Sequence, residues 1–266
     1  MRLHLRQLGH GEPLVVLHGL FGSGENWLSV ASPLTERFRL YLLDLRNHGQ
    51  SPHDERIDYP LMAADVREFF ATENLDAATL LGHSMGGKVA MRLALDEPSL
   101  VKKLIVADVA PRAYPRAHDA IFAALLALDL TAFERRQQIE EALGQQIPSL
   151  AMRRFLLKNL GRDDGGRFFW KMNVRSLYEN YDRLCQAVNG QGPFEGPTLF
   201  LRGGKSAYIT PADETEIRRQ FPAARIATIS SGGHWIHADA PDEFVRLVLA
   251  FLLTDCPDNE IAGSVE

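Results

Sequence analysis

The chain has only two cysteines, Cys185 and Cys256, in 266 residues, and neither belongs to a C-x-x-C pair. That spacing excludes a disulfide framework and a thiolate zinc site. Two isolated thiols read as reduced thiols in a cytoplasmic protein. Long apolar runs are also missing: no stretch of about 18 uncharged apolar residues is present, so no membrane insertion is expected. The segment Met1–Arg6 lacks the apolar core of a signal peptide. Positive charge is scarce as well. With 29 Lys and Arg against 34 Asp and Glu, the net charge is −5, which argues against a nucleic-acid partner. The remaining composition, 45% hydrophobic and 24% charged, is that of a soluble globular protein and not of a disordered or coiled-coil chain. The length fits one large α/β domain with an insertion, or two domains.

Short apolar runs alternate with helical patterns. Leu14–Leu17, Leu40–Leu43, Ala78–Leu81, Leu104–Ala107, Thr198–Leu201 and Arg225–Ile229 read as strands. Runs apolar throughout imply that both faces are covered, as in a parallel sheet. Helical patterns fall at 25–36, 60–73, 85–97, 211–220 and 241–253. Thr210-Pro211 supplies an N-cap and a proline at the first helical position. The opening segment, Arg2 to Leu8, alternates like an edge strand. This rhythm predicts a mostly parallel central sheet with helices on both faces.

Residues 113–190 break the rhythm. They show helical patterns, no convincing strand and an aromatic-rich stretch from Phe168 through Tyr181. They are expected to form a small helical cap inserted between core segments 1–112 and 191–254. Residues 255–266 read as a polar C-terminal tail.

Three motifs carry chemistry. Gly82-His83-Ser84-Met85-Gly86 is a G-x-S-x-G sequence between a strand and a helix, the context in which a sharp turn exposes a nucleophilic serine. His18-Gly19-Leu20-Phe21-Gly22 follows the first buried strand, as does the loop that donates one amide to an oxyanion hole. Leu20 and Met85 are the expected amide donors, and His18 is expected to brace the loop. Ser231-Gly232-Gly233-His234-Trp235 follows the last strand, where a histidine can swing over the serine. His234 is therefore the expected general base, with His237 a weaker alternative. Asp44, with Arg46, Asn47, His48 and Ser51, reads as a locally hydrogen-bonded loop.

These strings resemble the α/β-hydrolases over nearly the whole chain, and within them the small YbfF-type bacterial esterases. The resemblance rests on H-G-L-F-G-S from His18, D-L-R-N-H-G-Q-S-P from Asp44 and G-H-S-M-G-G-K from Gly82. D-V-A-P from Asp108, L-F-L-R-G-G-K-S from Leu199 and G-G-H-W-I-H-A-D-A-P from Gly232 extend it. It implies an α/β-hydrolase fold and a carboxylesterase acting on short acyl esters or acyl thioesters through an acyl-enzyme, without metal or organic cofactor. Most such enzymes carry the triad acid after the penultimate strand, but that turn reads Gly203-Gly204-Lys205-Ser206. A serine supplies no negative charge. Asp108, at the end of the strand after the elbow, is the expected acid, and the resemblance leaves Ser206 as its helper. Asp213 and Asp239 are the alternatives. Phe21, Phe168, Phe169, Trp170 and Trp235 are the candidate substrate pocket. A thioesterase, a carbon–carbon bond hydrolase or a ligand receptor on the same fold are the competing functions. A monomer or small homo-oligomer is expected.

Overall fold

The computed structural model describes residues 1–254; the expected tail at 255–266, with Cys256, lies outside the described residues. Seven strands form one sheet: β1 (Leu5–Leu8), β2 (Glu12–Leu17), β3 (Phe38–Leu43), β4 (Ala78–His83), β5 (Val101–Ala107), and, past a long insertion, β8 (Thr198–Gly203) and β9 (Ala224–Ile229). Their order is β1-β3-β2-β4-β5-β8-β9. Only β1 is antiparallel, paired with β3 from Leu5↔Leu43 to Leu8↔Leu40. The other neighbours run parallel.

The sheet is covered on both faces because its strands are apolar at successive positions. In β2, Val15 and Leu17 face one core cluster, while Leu14 and Val16 face the other. Helix α2 (Tyr59–Thr72) and helix α3 (Met85–Asp96) pack in the first cluster. Helix α1 (Leu28–Thr35) and the C-terminal helix Pro241–Leu253 pack in the second. Asp58 caps α2 by accepting from the Leu61 amide at 2.9 Å, with Pro60 in the first turn. The helical pattern expected at 25–36 begins instead as a 3₁₀ turn over Gly24–Trp27.

Between β5 and β8 the chain forms α4 (Asp119–Ala127), α5 (Arg136–Gly144), α6 (Leu150–Leu156), α7 (Val174–Glu179) and α8 (Tyr181–Cys185). The insertion is not wholly helical, contrary to the expectation that it holds no strand. β6 (Leu160–Arg162) and β7 (Phe168–Trp170) pair antiparallel. Asp163-Asp164-Gly165-Gly166 turns the chain between them, with Gly166 at φ 75°, a conformation glycine adopts without steric cost. Side-chain hydrogen bonds fasten the insertion to the core. Asn47 Nδ2 donates to Ser176 Oγ at 3.1 Å, and Asn159 Nδ2 donates to the Phe21 carbonyl at 2.7 Å.

Parallel strands deliver their C-terminal ends to one edge of the sheet, where the loops that carry function in such folds collect. The loops after β2, β4, β5, β8 and β9 meet there.

Candidate active site

Ser84 sits between β4 and α3 at φ 51°, ψ −116°, a region costly to any residue with a Cβ. Its environment holds it there. The Ser84 amide donates to the Ala107 carbonyl of β5 at 3.0 Å. Gly82 and Gly86 make the sharp turn possible. A Cβ on Gly82 would lie 2.3 Å from the Gly86 carbonyl oxygen, and one on Gly86 would lie 2.5 Å from the carbonyl oxygens of Leu17 and His18. The β4–α3 turn is thus pressed against the end of β2 with no room for a side chain.

His234 follows β9. Its Nε2 stands 3.0 Å from Ser84 Oγ and its Nδ1 stands 2.8 Å from Asp108 Oδ2. Asp108 is fully buried and has φ 51°. Its amide donates to the Leu201 carbonyl at 2.8 Å. Its Oδ1 accepts from the Gly203 amide at 2.9 Å, and its Oδ2 accepts from Ser206 Oγ at 2.5 Å. The carboxylate therefore holds Nδ1–H, which fixes the tautomer and leaves Nε2 free to accept the Ser84 proton. An imidazole so placed can take a proton from a hydroxyl and give it to a leaving group.

Leu20 and Met85 lie on the two loops that flank Ser84. Among the described residues neither backbone amide donates to a protein acceptor. Met85 opens the twelve-residue α3, whose aligned peptide dipoles favour negative charge at that end. The amide loop after β2 is itself braced. Gly22 donates to the Gly19 carbonyl at 2.9 Å, and Phe21 is held at φ 61°.

The other histidines are supports. His18 donates from Nδ1 to the Gly19 carbonyl and accepts the Leu45 amide at Nε2, at 2.8 and 3.0 Å. Burial lowers its pKa, so it stays neutral. His48 accepts the Phe21 amide at 3.3 Å and is pushed down to about 3 by burial. His237, the alternative base, stacks on Trp27 at 4.5 Å and is likewise lowered to about 3 by burial. Asp213 is engaged by the Thr210 amide and by Arg112, both at 2.8 Å. Asp239 accepts the Gly233 amide at 2.8 Å and so braces the loop that carries His234. Asp44 accepts amides from Gly24 and Gln50 at 2.7 and 2.8 Å.

Two cavities flank Ser84. The larger, about 250 Å³, is walled by Leu20, Phe21, Met152, Phe155, Tyr208 and Trp235. The smaller, about 60 Å³, is lined by Ser84, Met85, Lys88, Tyr114, His118 and Tyr181 among others. Phe21 and Trp235 stand where a pocket was expected. Phe168, Phe169 and Trp170 line neither cavity, which corrects their expected role. They belong to the β6–β7 hairpin. The Phe169 ring lies over Gly161, the Phe168 ring lies 4.2 Å under the Arg162 guanidinium, and Trp170 packs on the core.

Several residues at the site were not singled out in the sequence. Tyr208 stacks on the His234 ring at 3.8 Å and 18°, and Tyr114 Oη donates to its carbonyl at 2.5 Å. His83 Nε2 donates to the His234 carbonyl at 2.8 Å. His83 lies inside the G-x-S-x-G string, so its place beside the serine was available from the motif. Among the described residues no group of three His, Cys, Asp or Glu could hold a metal ion, and no helix is long and apolar enough to cross a membrane.

The model of the alpha/beta hydrolase fold matches residues 12–241. The chain belongs to the α/β-hydrolase family. Among α/β-hydrolases it is 40% identical over 247 residues to the sn-1-specific diacylglycerol lipase ABHD11 of Mus musculus, covering 90% of this chain and 80% of that one. It is 36% identical over 244 residues to Esterase YbfF of Escherichia coli (strain K12), covering 91% and 94%. A solved marine microorganism esterase superposes with a TM-score of 0.92 at 43% identity, over 94% of this chain and 99% of that one. The similarity to a YbfF-type α/β-hydrolase inferred from the motifs is thus shown along the chain.

Proposed function

We propose that the protein is a serine hydrolase of small carboxylic esters. One observation carries this reading: the continuous chain of contacts from Ser84 Oγ to His234 Nε2, and from His234 Nδ1 to Asp108, at 3.0 and 2.8 Å. Esterases and lipases among its relatives support the same chemistry.

In this mechanism His234 takes the Ser84 proton as Oγ attacks the acyl carbon. The tetrahedral oxyanion forms between the Leu20 and Met85 amides, where preorganised donors contribute roughly 3–4 kcal/mol to the transition state. His234 then protonates the leaving alcohol. Water, activated by the same imidazole, releases the acid and restores Ser84. Asp108 orients His234 and stabilises the imidazolium, and Ser206 and Gly203 hold Asp108. The reaction needs no cofactor. The buried free thiol of Cys185 suits a cytoplasmic enzyme.

The test is labelling by a fluorophosphonate together with turnover of a p-nitrophenyl ester series and an acyl-CoA series. The expected result is stoichiometric labelling that Ser84→Ala abolishes, and faster turnover of short esters than of acyl-CoAs. Near-wild-type turnover by folded Ser84→Ala would overturn the assignment, and preference for the acyl-CoAs would make the protein a thioesterase.

A further inference from the structure

Lys88 is the ammonium that the proposed mechanism leaves unused. It lies one helical turn after Ser84 on α3, and its backbone amide donates to the Ser84 carbonyl at 3.1 Å. Only 2% of it is exposed. A buried lysine is ordinarily paired with a carboxylate. Among the described residues Lys88 forms no ion pair with Asp or Glu; its one hydrogen bond goes to the Gln186 carbonyl at 2.5 Å. The faces of Tyr114 and Tyr59 stand 4.8 and 5.3 Å from Nζ. An ammonium carries three donors, so donors remain after Gln186 is satisfied.

Lys88 lines the smaller cavity together with Ser84 and Met85. The hydroxyls of the two tyrosines whose rings face it are committed elsewhere. Tyr59 Oη donates to the Leu184 carbonyl at 2.6 Å and Tyr114 Oη to the Tyr208 carbonyl at 2.5 Å. Lys88 is therefore the ammonium in the lining, where His118, held below the usual imidazole range by burial, is the other nitrogen base. The volume of about 60 Å³ holds roughly four to six water-sized groups, the size of a short acyl chain with a polar end.

We infer that the smaller cavity is an acyl subsite whose Lys88 ammonium receives a terminal carboxylate, so that the substrate class is monoesters of short dicarboxylic acids. This rests on the esterase reading above and narrows it. Ser84 attacks the ester carbonyl, the acyl–oxygen bond breaks, and the alcohol leaves with the proton from His234. Water then cleaves the acyl-enzyme to the free dicarboxylic acid. The anion supplies the counter-charge the protein withholds. The cation is already desolvated and fixed, so the ordering cost of the pair is met in folding.

The test compares monoethyl succinate and monoethyl glutarate with ethyl butyrate and ethyl valerate by proton release at pH 7. The expected result is a preference of at least about tenfold in kcat/KM for each monoester over its neutral counterpart, the low end for a hydrogen bond between charged groups. In Lys88→Met the ratio should fall below one, because the carboxylate then enters an apolar pocket. Neutral esters turned over faster than the monoesters by the wild-type enzyme would overturn this inference and leave the esterase reading standing. A monoester preference that survives in folded Lys88→Met would overturn it too. Turnover of neither series, with no labelling of Ser84, would remove the esterase reading and this inference together. The wild-type comparison decides alone if Lys88→Met does not fold.

Discussion

Ser206 donates its hydroxyl proton to Asp108 Oδ2, the same oxygen that faces His234 Nδ1. The turn after β8, where the resemblance to α/β-hydrolases led the acid to be sought, here supplies a donor to an acid on the neighbouring strand. In the proposed mechanism the two side chains divide the work: Asp108 carries the charge and Ser206 aims it. Asp108→Asn should therefore lower kcat by roughly 10⁴, the loss seen when a triad acid becomes an amide. Ser206→Ala removes a hydrogen bond to a charged group, about 1.5–3 kcal/mol, and should cost roughly ten- to a hundredfold. Asp213→Asn and Asp239→Asn should stay within about tenfold, since Asp213 is held by Thr210 and Arg112 and Asp239 only braces the Gly233 amide. Steady-state kinetics on a p-nitrophenyl ester checks all four. High activity in Asp108→Asn would move the acid elsewhere.

Gly86→Ala tests the closeness of the elbow to the end of β2. Its new Cβ would meet the Leu17 and His18 carbonyl oxygens at 2.5 Å, backbone that has no flexible end to move aside. Overpacking of this kind costs about 1–3 kcal/mol. The separation forced on the two loops also moves the Met85 amide away from Leu20. The expected outcome is a modest fall in urea midpoint with a disproportionate fall in kcat. A folded variant of full activity would mean that the two amides do not act together.

The sheet was legible because its inner strands carry runs of successive apolar residues, such as Leu14–Leu17 and Leu104–Ala107, and that pattern has few alternatives. Ser84 and His234 were legible because glycine-rich turns at strand ends announce them. Asp108 took more argument, because its evidence was the absence of an acid beside Ser206. The β6–β7 hairpin was missed although Asp163-Asp164-Gly165-Gly166 is a turn signal. Its three-residue strands are too short for alternation to register. Tyr208 and Lys88 were illegible for a different reason. The place of Tyr208 and the surroundings of Lys88 depend on how the loop after β8 and the insertion settle over the core, which no local pattern encodes.

Trp170 and Trp235 separate the two roles expected of the aromatics. Trp170 packs on the core from the hairpin, and its Nε1 is buried without a partner. Trp235 faces Phe155 at 5.3 Å across the wall of the larger cavity. Trp170→Ala should lower stability, by less than the ~3–5 kcal/mol of a fully buried aromatic truncation because Trp170 is partly exposed, and leave the ranking of substrates unchanged. Trp235→Ala should instead alter preference among alcohol or acyl groups that occupy the larger cavity. Thermal melts and a substrate panel on both variants distinguish them. A changed ranking in Trp170→Ala would return the hairpin to the pocket.

Lys88 also makes a prediction about stability that is independent of substrate. Burial pushes its pKa from the ordinary 10.5 down to about 8, with Arg112 nearby adding repulsion and Cys185 acting the other way. The Tyr114 and Tyr59 rings face it at 4.8 and 5.3 Å, and His118, Tyr181, Cys185 and Tyr208 line the same cavity. Below about pH 8 lysine is protonated in both folded and unfolded chains, and the folded chain bears the cost of a buried charge. Between about 8 and 10.5 the unfolded chain still binds the proton and the folded chain has released it. Stability then rises with pH, because the unfolded state holds more protons. The full shift corresponds to ~3 kcal/mol at 1.36 kcal/mol per unit. Tyrosines and other groups titrate over the same range, so the measured quantity is the difference between wild type and Lys88→Met, which share them. Urea unfolding at pH 7 and pH 10 should show the wild-type protein gaining on the variant by a substantial part of that amount. Parallel pH profiles would mean that Lys88 keeps its ordinary pKa and that its charge is compensated within the folded chain.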